Sequence, residues 1–552
     1  MGWRARGTGG ERAVFHLALK LLPSIACVAA IGCGQADPPP PPRGGEGRHA
    51  LIYRRSVYLA GLDERVEIVK GPDRAIGIRA DGRRMGLAAL RAADRAAHRS
   101  RYGPIAIGFR AHLATVAPQE EIAAAVYFQP DADWDRLTQE LHAEDGATVA
   151  AARAELSAAI VRDAEEIAET LMRRRLRVTG AGKWMPVVFV RGTPAELLDL
   201  PDEARIKLVT GTEMLVSEHR CNGGPDKVTE GCDVDLNVFH RIDAAFNAAG
   251  FFGKGERIGM LEDVGNCGLK KQHEAFEHTG GIFYSNPLPN PCISEHGTWV
   301  ASVLSGSNDG VRCGAAEVEI YYANSGLPQY FPHVQETLTT SIYNTAATLN
   351  AYEWFSGIGM PGDSDDRPLS AVNESYGCLH KRITCSYPTA AEWEGITQDY
   401  FARVYDMTIV KAAGNDNCTF TQEACPWTLN SVCVGSVNST LTMSCFSSHN
   451  NPGTETEMFD SDREEPDLMA LGGDSTECVA PSDELVCTAV DESTDAWEGA
   501  RGTSIAAPAV TSMLTLFRQA CEPNHGSRFS QRAMRALLRT AAYGGNPDGP
   551  AY

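Results

Sequence analysis

Four kinds of side chain that together can carry out acyl transfer are spread along this sequence between Glu262 and Ser504. Ser504 stands in Gly502-Thr503-Ser504-Ile505-Ala506-Ala507-Pro508, where small residues crowd a single hydroxyl. Such a hydroxyl is a weak nucleophile until a neighbouring base takes its proton. His296, in His296-Gly297-Thr298-Trp299-Val300-Ala301-Ser302, offers an imidazole as that base. Asn415 closes Ala412-Ala413-Gly414-Asn415 and offers a side-chain amide able to donate to a developing oxyanion. An acid is needed to orient the imidazole, and two adjacent carboxylates, Glu262 and Asp263, follow the apolar run Ile258-Gly259-Met260-Leu261.

The elements that must hold these groups are legible around them. Val510, Met513, Leu514 and Phe517 recur at helical spacing, so a helix is expected to begin at Ser504. Pro508 is expected in its first turn, where a missing N–H costs little. The serine would then sit on the positive end of the helix dipole. His296 is expected to open a second helix with Val300, Val303 and Leu304 facing inward. Ile258–Leu261 and Ile409–Ala412 read as short buried strands. Ala371–Gly377 reads as a strand ending in small residues, leaving an edge with which an extended peptide can pair. Past Cys221, short apolar strands alternate with Gly-rich loops and helices. That alternation predicts an α/β fold with a parallel sheet, whose functional residues gather at the carboxyl ends of strands.

The N-terminal part has a different texture. Residues 1–32 read as an export signal: Arg4, Arg6 and Arg12 precede an apolar run from Leu21 to Gly32 that is too short to span a bilayer. Ala30-Ile31-Gly32-Cys33 resembles a lipobox with Ala30 in the leucine position. Two outcomes stay open, lipidation at Cys33 with a membrane tether or simple cleavage. Residues 33–49 hold Pro38–Pro42, a stiff tether. Residues 50–220 contain no cysteine and read as a small α+β domain: a strand at Ile122–Phe128, a long helical stretch over Asp133–Arg177, a buried strand at Pro186–Val190, a short helix with Thr193 as N-cap and Pro194 first, and a strand at Arg205–Val209.

Charge and cysteines divide the chain at the same place. Residues 1–220 carry 31 Lys+Arg against 28 Asp+Glu, and residues 221–552 carry 19 against 43. The acidic second part disfavours nucleic-acid binding. Fourteen of the 16 cysteines lie between Cys221 and Cys521, several as near neighbours such as Cys433/Cys445 and Cys478/Cys487. An even, clustered set without a C-x-x-C pair reads as disulfides in an oxidising compartment rather than metal ligands; the connectivity stays open.

Taken together and in this order, acid, histidine, asparagine and serine resemble the subtilisin-like serine proteases (subtilases). Gly502–Pro508 resembles the family's G-T-S-x-A-x-P nucleophile motif. His296–Ala301 resembles H-G-T-H-V-A, with Trp299 for the second histidine and Ser302 for the following glycine. Ala412–Asn415 resembles A-A-G-N, and Ala371–Gly377 the V-x-N-x-S-x-G strand that lines the substrate cleft. The resemblance spans about residues 235–545. It implies a subtilisin-like parallel sheet flanked by helices over residues 221–552, preceded by an α+β propeptide-like domain that inhibits the cleft and is removed between about Thr210 and Cys221. It further implies an exported serine endopeptidase acting on polypeptides, in the cell envelope or secreted. Ser504 is then the nucleophile, His296 the base, Asn415 the oxyanion donor, and Ser375, Tyr376 and Gly377 the substrate-pairing backbone. The acid departs from the family pattern: aligning from the strand gives Glu262, aligning from Gly265 gives Asp263, and only one of two strand neighbours can face the site. The apolar pattern favours Glu262. A catalytically impaired binding protein on the same fold is the alternative. No cofactor is required. Calcium is common in the family, but the best acidic cluster, Asp363-Ser364-Asp365-Asp366, reads more simply as a solvated loop, so no metal ligand is assigned.

Overall fold

The computed structural model describes residues 53–59, 62–70, 75–143, 145–200, 205–212, 240, 242–262, 267–285, 293–308, 311–312, 314–324, 340–358, 368–376, 389–415, 428–449, 466–474, 484–489, 497–525 and 528–541. The expected signal, Cys33, the expected tether, Asp263, Gly265, Gly377 and the Asp363–Asp366 cluster lie outside them.

Seven strands form the central sheet of the C-terminal half. Their spatial order is Gly281–Tyr284, Glu319–Asn324, Arg257–Glu262, Ala371–Glu374, Ile409–Ala412, Val432–Val437 and Leu468–Leu471. Every neighbouring pair is parallel. Parallel strands are covered on both faces, which is why these segments are near-continuous apolar runs rather than alternating ones. All six residues of Arg257–Glu262 are buried. From this strand the chain builds first toward one edge and then, from Ala371 onward, toward the other. The carboxyl ends of Arg257–Glu262 and Ala371–Glu374 therefore flank a topological switch point, where open α/β sheets bind ligands.

The two faces of the sheet have separate covers. On one face lie the helix Glu295–Ser305, which carries His296, and the helix Thr503–His525, which carries Ser504. Ile258 and Met260 pack there with Val300, Ala301 and Leu304, and Val410 and Ala412 with Ala506, Ala507 and Val510. On the other face lie helices Thr340–Gly357 and Thr389–Val404. Leu261, Val372 and Ile409 pack there with Tyr352, Phe355, Trp393 and Phe401.

That second cluster continues without a break into the N-terminal part. A four-stranded antiparallel meander over residues 53–86 comes first. A β-α-β-β-α-β unit follows, its antiparallel sheet ordered Arg177–Ala181, Val187–Gly192, Ile122–Phe128, Ile206–Gly211. Thr193 and Glu196 form a reciprocal capping box with Pro194 at the first helical position. The helical stretch expected over Asp133–Arg177 is two helices, Trp134–Leu141 and Gly146–Arg173. The break has a local cause: the Asp145 side chain accepts from the Ala147 and Thr148 amides at 3.3 and 2.9 Å and starts a new helix.

This unit is bound to the outer helices of the C-terminal part by specific contacts. The Glu353 carboxylate accepts from the backbone amides of Lys183 and Trp184 at 2.6 and 2.8 Å. The Tyr405 hydroxyl donates to the Trp184 carbonyl at 2.8 Å, and Arg153 donates to the Ser356 carbonyl at 2.7 Å. Phe189 meets Trp393 with ring centroids 6.3 Å apart. Cys267, Cys433, Cys487 and Cys521 are disulfide-bonded. Cys433 is not joined to its sequence neighbour Cys445; it sits within a sheet strand and packs against Ala413. Among the described residues no helix is long and apolar enough to cross a membrane.

Candidate active site

Strand pleating brings the carboxylate to the imidazole. Ile258 and Met260 face the His296 helix, and Leu261 faces the opposite cover. Side chains alternate along a strand, so Glu262 points with Ile258 and Met260. Its Oε2 lies 2.8 Å from His296 Nδ1. Glu262 is the last residue of the strand rather than a residue beyond it, in register with Asn324 next door. Both groups are buried, Glu262 completely and His296 to 4% exposure.

The histidine helix is fixed at its start and along its length. Ser294 caps it, its hydroxyl accepting from the Gly297 amide at 2.8 Å. The two departures from the family motif both find partners in the hairpin Val486–Ala489/Trp497–Ala500, which leads into the serine segment. Trp299 Nε1 donates to the Glu498 carboxylate. Ser302 Oγ accepts from the Ala489 amide at 3.1 Å and donates to the Trp299 carbonyl at 2.7 Å. A glycine at 302 could make neither contact.

Ser504 is the second residue of its helix and 5% exposed. Gly502 before it has φ +146°, a backbone state that favours glycine, and a Cβ there would lie 3.0 Å from Ser504 Oγ and 3.2 Å from Asn415 Nδ2. The hydroxyl and the amide therefore converge on one small space. Asn415 is held in one sense only. Its Oδ1 accepts from the Thr503 amide at 2.8 Å and from Thr503 Oγ1 at 2.9 Å, which turns Nδ2 toward that space. Thr503 Oγ1 accepts in turn from the Gly414 amide at 3.0 Å.

The helix begins at Thr503, so Pro508 lies in its second turn and not its first. A proline there has no N–H for the carbonyl four residues earlier, which is that of Ser504. Ser375 Oγ takes the place of the missing donor, reaching the Ser504 carbonyl at 3.0 Å. Asn373 Nδ2 donates to Ser375 Oγ at 3.0 Å, and Thr511 Oγ1 donates to Asn373 Oδ1 at 3.2 Å. Ser375 and Tyr376, both fully buried, are thus tied to the serine helix at the end of their strand. Of the residues singled out from sequence, Glu262, His296, Asn415, Ser504, Ser375 and Tyr376 all lie on elements meeting at this end of the sheet.

Sequence reasoning passed over Lys411, Glu374 and Glu394, which form an ion network under the same loops. Their signal was a charge inside an apolar strand: Lys411 between Val410 and Ala412, and Glu374 after Val372 and Asn373. Among the described residues no group of three or more His, Cys, Asp or Glu is arranged to hold a metal ion.

A family model described as the Subtilase family matches residues 272–551, half of the chain, beginning ten residues after Glu262. Similar solved structures include a cold-adapted subtilisin-like serine proteinase (19% identity, 53% of this chain and 83% of that one, TM-score 0.35). Others are the epidermin leader peptide processing serine protease of Staphylococcus aureus (15%, 78% and 94%, 0.43) and a lanthipeptide protease (16%, 58% and 92%, 0.41). Among curated proteins, a glutathione-independent glyoxalase of Schizosaccharomyces pombe is 31% identical over 120 residues, 20% of this chain. The chain spans about half the length of that relative, 47%.

Proposed function

Because the chain belongs to the subtilase family, we propose that it is an exported serine endopeptidase that cuts polypeptides through an acyl-enzyme on Ser504. The observation that carries this is the 2.8 Å contact between Glu262 and His296 Nδ1. Donation from Nδ1–H to a buried carboxylate selects the tautomer in which Nε2 is the base. His296 then takes the Ser504 proton as Ser504 Oγ attacks the peptide carbonyl. Negative charge developing on the carbonyl oxygen is met by Asn415 Nδ2 and the Ser504 amide. His296 returns the proton to the leaving amine, and water releases the acyl group by the same route. Glu262 never carries the proton; it stabilises the imidazolium that forms. The substrate lies extended along Ser375, Tyr376 and Gly377 as an added strand.

The domain over residues 50–220 is assigned as a propeptide, which assists folding and occupies the cleft until self-cleavage. Its contacts through Glu353, Tyr405 and Ser356 support the assignment. Self-cleavage is proposed between about Thr210 and Cys221, and the burial of Thr210 and Thr212 at and just past the end of the last strand supports a site toward the later part of that range. Residues 1–32 direct export, Cys33 is the point of lipidation if the chain is tethered, and the disulfides suit the oxidising space this implies.

A fluorophosphonate probe tests the reaction. The exported protein is expected to label, and Ser504→Ala to abolish both labelling and cleavage of a peptide library. Absence of Ser504-dependent labelling would leave a surface binding protein on a protease fold. N-terminal sequencing tests the propeptide: an active form starting near residue 34 would refute it.

A further inference from the structure

Lys411 and Glu374 are direct cross-strand partners in the parallel pair Ala371–Glu374 and Ile409–Ala412. Both are fully buried. Lys411 Nζ reaches Glu374 Oε2 at 3.3 Å, the Tyr376 carbonyl at 3.1 Å and the Glu394 carboxylate. These contacts engage the three donors of an ammonium. Glu374 also accepts from the Tyr352 hydroxyl and from Gln398 Nε2, which is 3.2 Å from Glu394 as well. Three ionisable groups and two side chains that both donate and accept hydrogen bonds are thus set between two strands and the helices Thr340–Gly357 and Thr389–Val404.

Stability alone does not account for this arrangement. Burying such a network costs its full desolvation, and well-packed apolar side chains of similar volume generally serve a core as well or better. What an ammonium supplies that a methionine cannot is a directed donor for one particular carbonyl. That carbonyl is Tyr376's, just past the strand end, in the backbone assigned to pair with substrate. Its neighbour Ser375 is held from the opposite face of the sheet by Asn373 and the Ser504 carbonyl.

We propose that Lys411 is a positioning residue: by donating to the Tyr376 carbonyl while anchored on Glu374 and Glu394, it locks the substrate-pairing backbone in place. The inference rests on the endopeptidase reading for its kinetic consequence, and on geometry alone for its structural one.

The test compares the full chain with Lys411→Met and with the charge-free variant Glu374→Gln/Lys411→Met/Glu394→Gln, which keeps the comparison open if the single variant fails to fold. In both, kcat/KM for peptides of about six residues should fall tenfold or more, while Ser504 labelling by a fluorophosphonate and hydrolysis of a single-residue ester stay within about twofold. The rate advantage of longer peptides should disappear. Equal losses on ester and peptide, or full peptide activity in the charge-free variant, would overturn the proposal. If the parent protein neither labels nor cleaves, the endopeptidase reading fails by itself, and amide hydrogen exchange decides the positioning claim. Residues 371–376 should exchange at least tenfold faster in the charge-free variant while Val432–Val437 is unchanged, and unaltered exchange at 371–376 would refute it.

Discussion

At the scale of single residues, the site turns on which atom carries a proton and which side chain fixes it there. Glu262→Gln keeps the shape but offers Nδ1 a partner of ambiguous donor sense. By analogy with acid-to-amide changes in other triads, it should lower kcat by up to about 10⁴-fold with KM little changed. Glu262→Asp retracts the carboxylate by one methylene from an imidazole now 2.8 Å away; a misplacement of that size costs on the order of 10²-fold. Steady-state kinetics on one peptide separates the two variants, and a loss below tenfold in both would remove Glu262 from the triad. Asn415→Ala should cost about 10²–10³ in kcat, as removal of one oxyanion donor does. Thr503→Val, which loses the hydroxyl donor to Asn415 Oδ1 but not the backbone one, should cost less.

Elements meet here through exchanged hydrogen bonds, and the Ser375–Pro508 relation is the clearest case. Ser375→Ala leaves the buried Ser504 carbonyl without the donor that proline denies it. The penalty for such an orphan is about 1–3 kcal/mol, read as a lower midpoint in denaturant unfolding. Pro508→Ala in that background restores an N–H four residues along the helix and should recover part of the loss. If the double variant is no more stable than Ser375→Ala, the compensation argument is wrong. The same logic accounts for Trp299 and Ser302. They depart from the family motif because the histidine helix is fastened to the Val486–Ala500 hairpin through Glu498 and the Ala489 amide.

On the scale of the whole molecule, the sheet separates two jobs. One face carries the histidine and serine helices; the other carries the two helices on which the N-terminal domain sits. Glu353 lies at that second junction, and burial pushes its carboxyl up to about 7, against the pull of the Trp184 and Lys183 amides. A detached domain would return it toward its ordinary value of 4.5. Docking therefore takes up a proton between these values: the hold of the N-terminal domain is full below about pH 4.5 and weakens as pH rises through about 7. The urea midpoint of the N-terminal domain's transition, followed in the full chain, should fall over that range, and Glu353→Gln should flatten the decline. A midpoint rising with pH would contradict this linkage.

How much of this was open to inspection in the sequence follows from where each constraint resides. Local chemistry was readable: the Thr193–Glu196 capping box, the strand Ile122–Phe128, the helix behind Ser504 and the α/β alternation past Cys221 are set by neighbours a few residues apart. Ser504, His296 and Asn415 stood out as candidates by side-chain type and by the glycine close to each in sequence. What pairs with what was not readable. The pleat of Arg257–Glu262 turns Glu262 toward His296 because Ile258 and Met260 pack on that helix, a fact of packing that the adjacent acids Glu262 and Asp263 do not disclose. Pro508 in the second turn is tolerable because Ser375, 133 residues away in the chain, supplies a hydroxyl. Lys411 inside an apolar strand looks like an anomaly until Glu374 and Glu394 meet it from a neighbouring strand and a helix. The sequence by itself determined which chemistry the chain is equipped for, because side-chain type and short-range spacing are written in it. Only the tertiary structure decided which buried polar groups satisfy one another, because desolvation makes that pairing compulsory and chain folding alone chooses the partners.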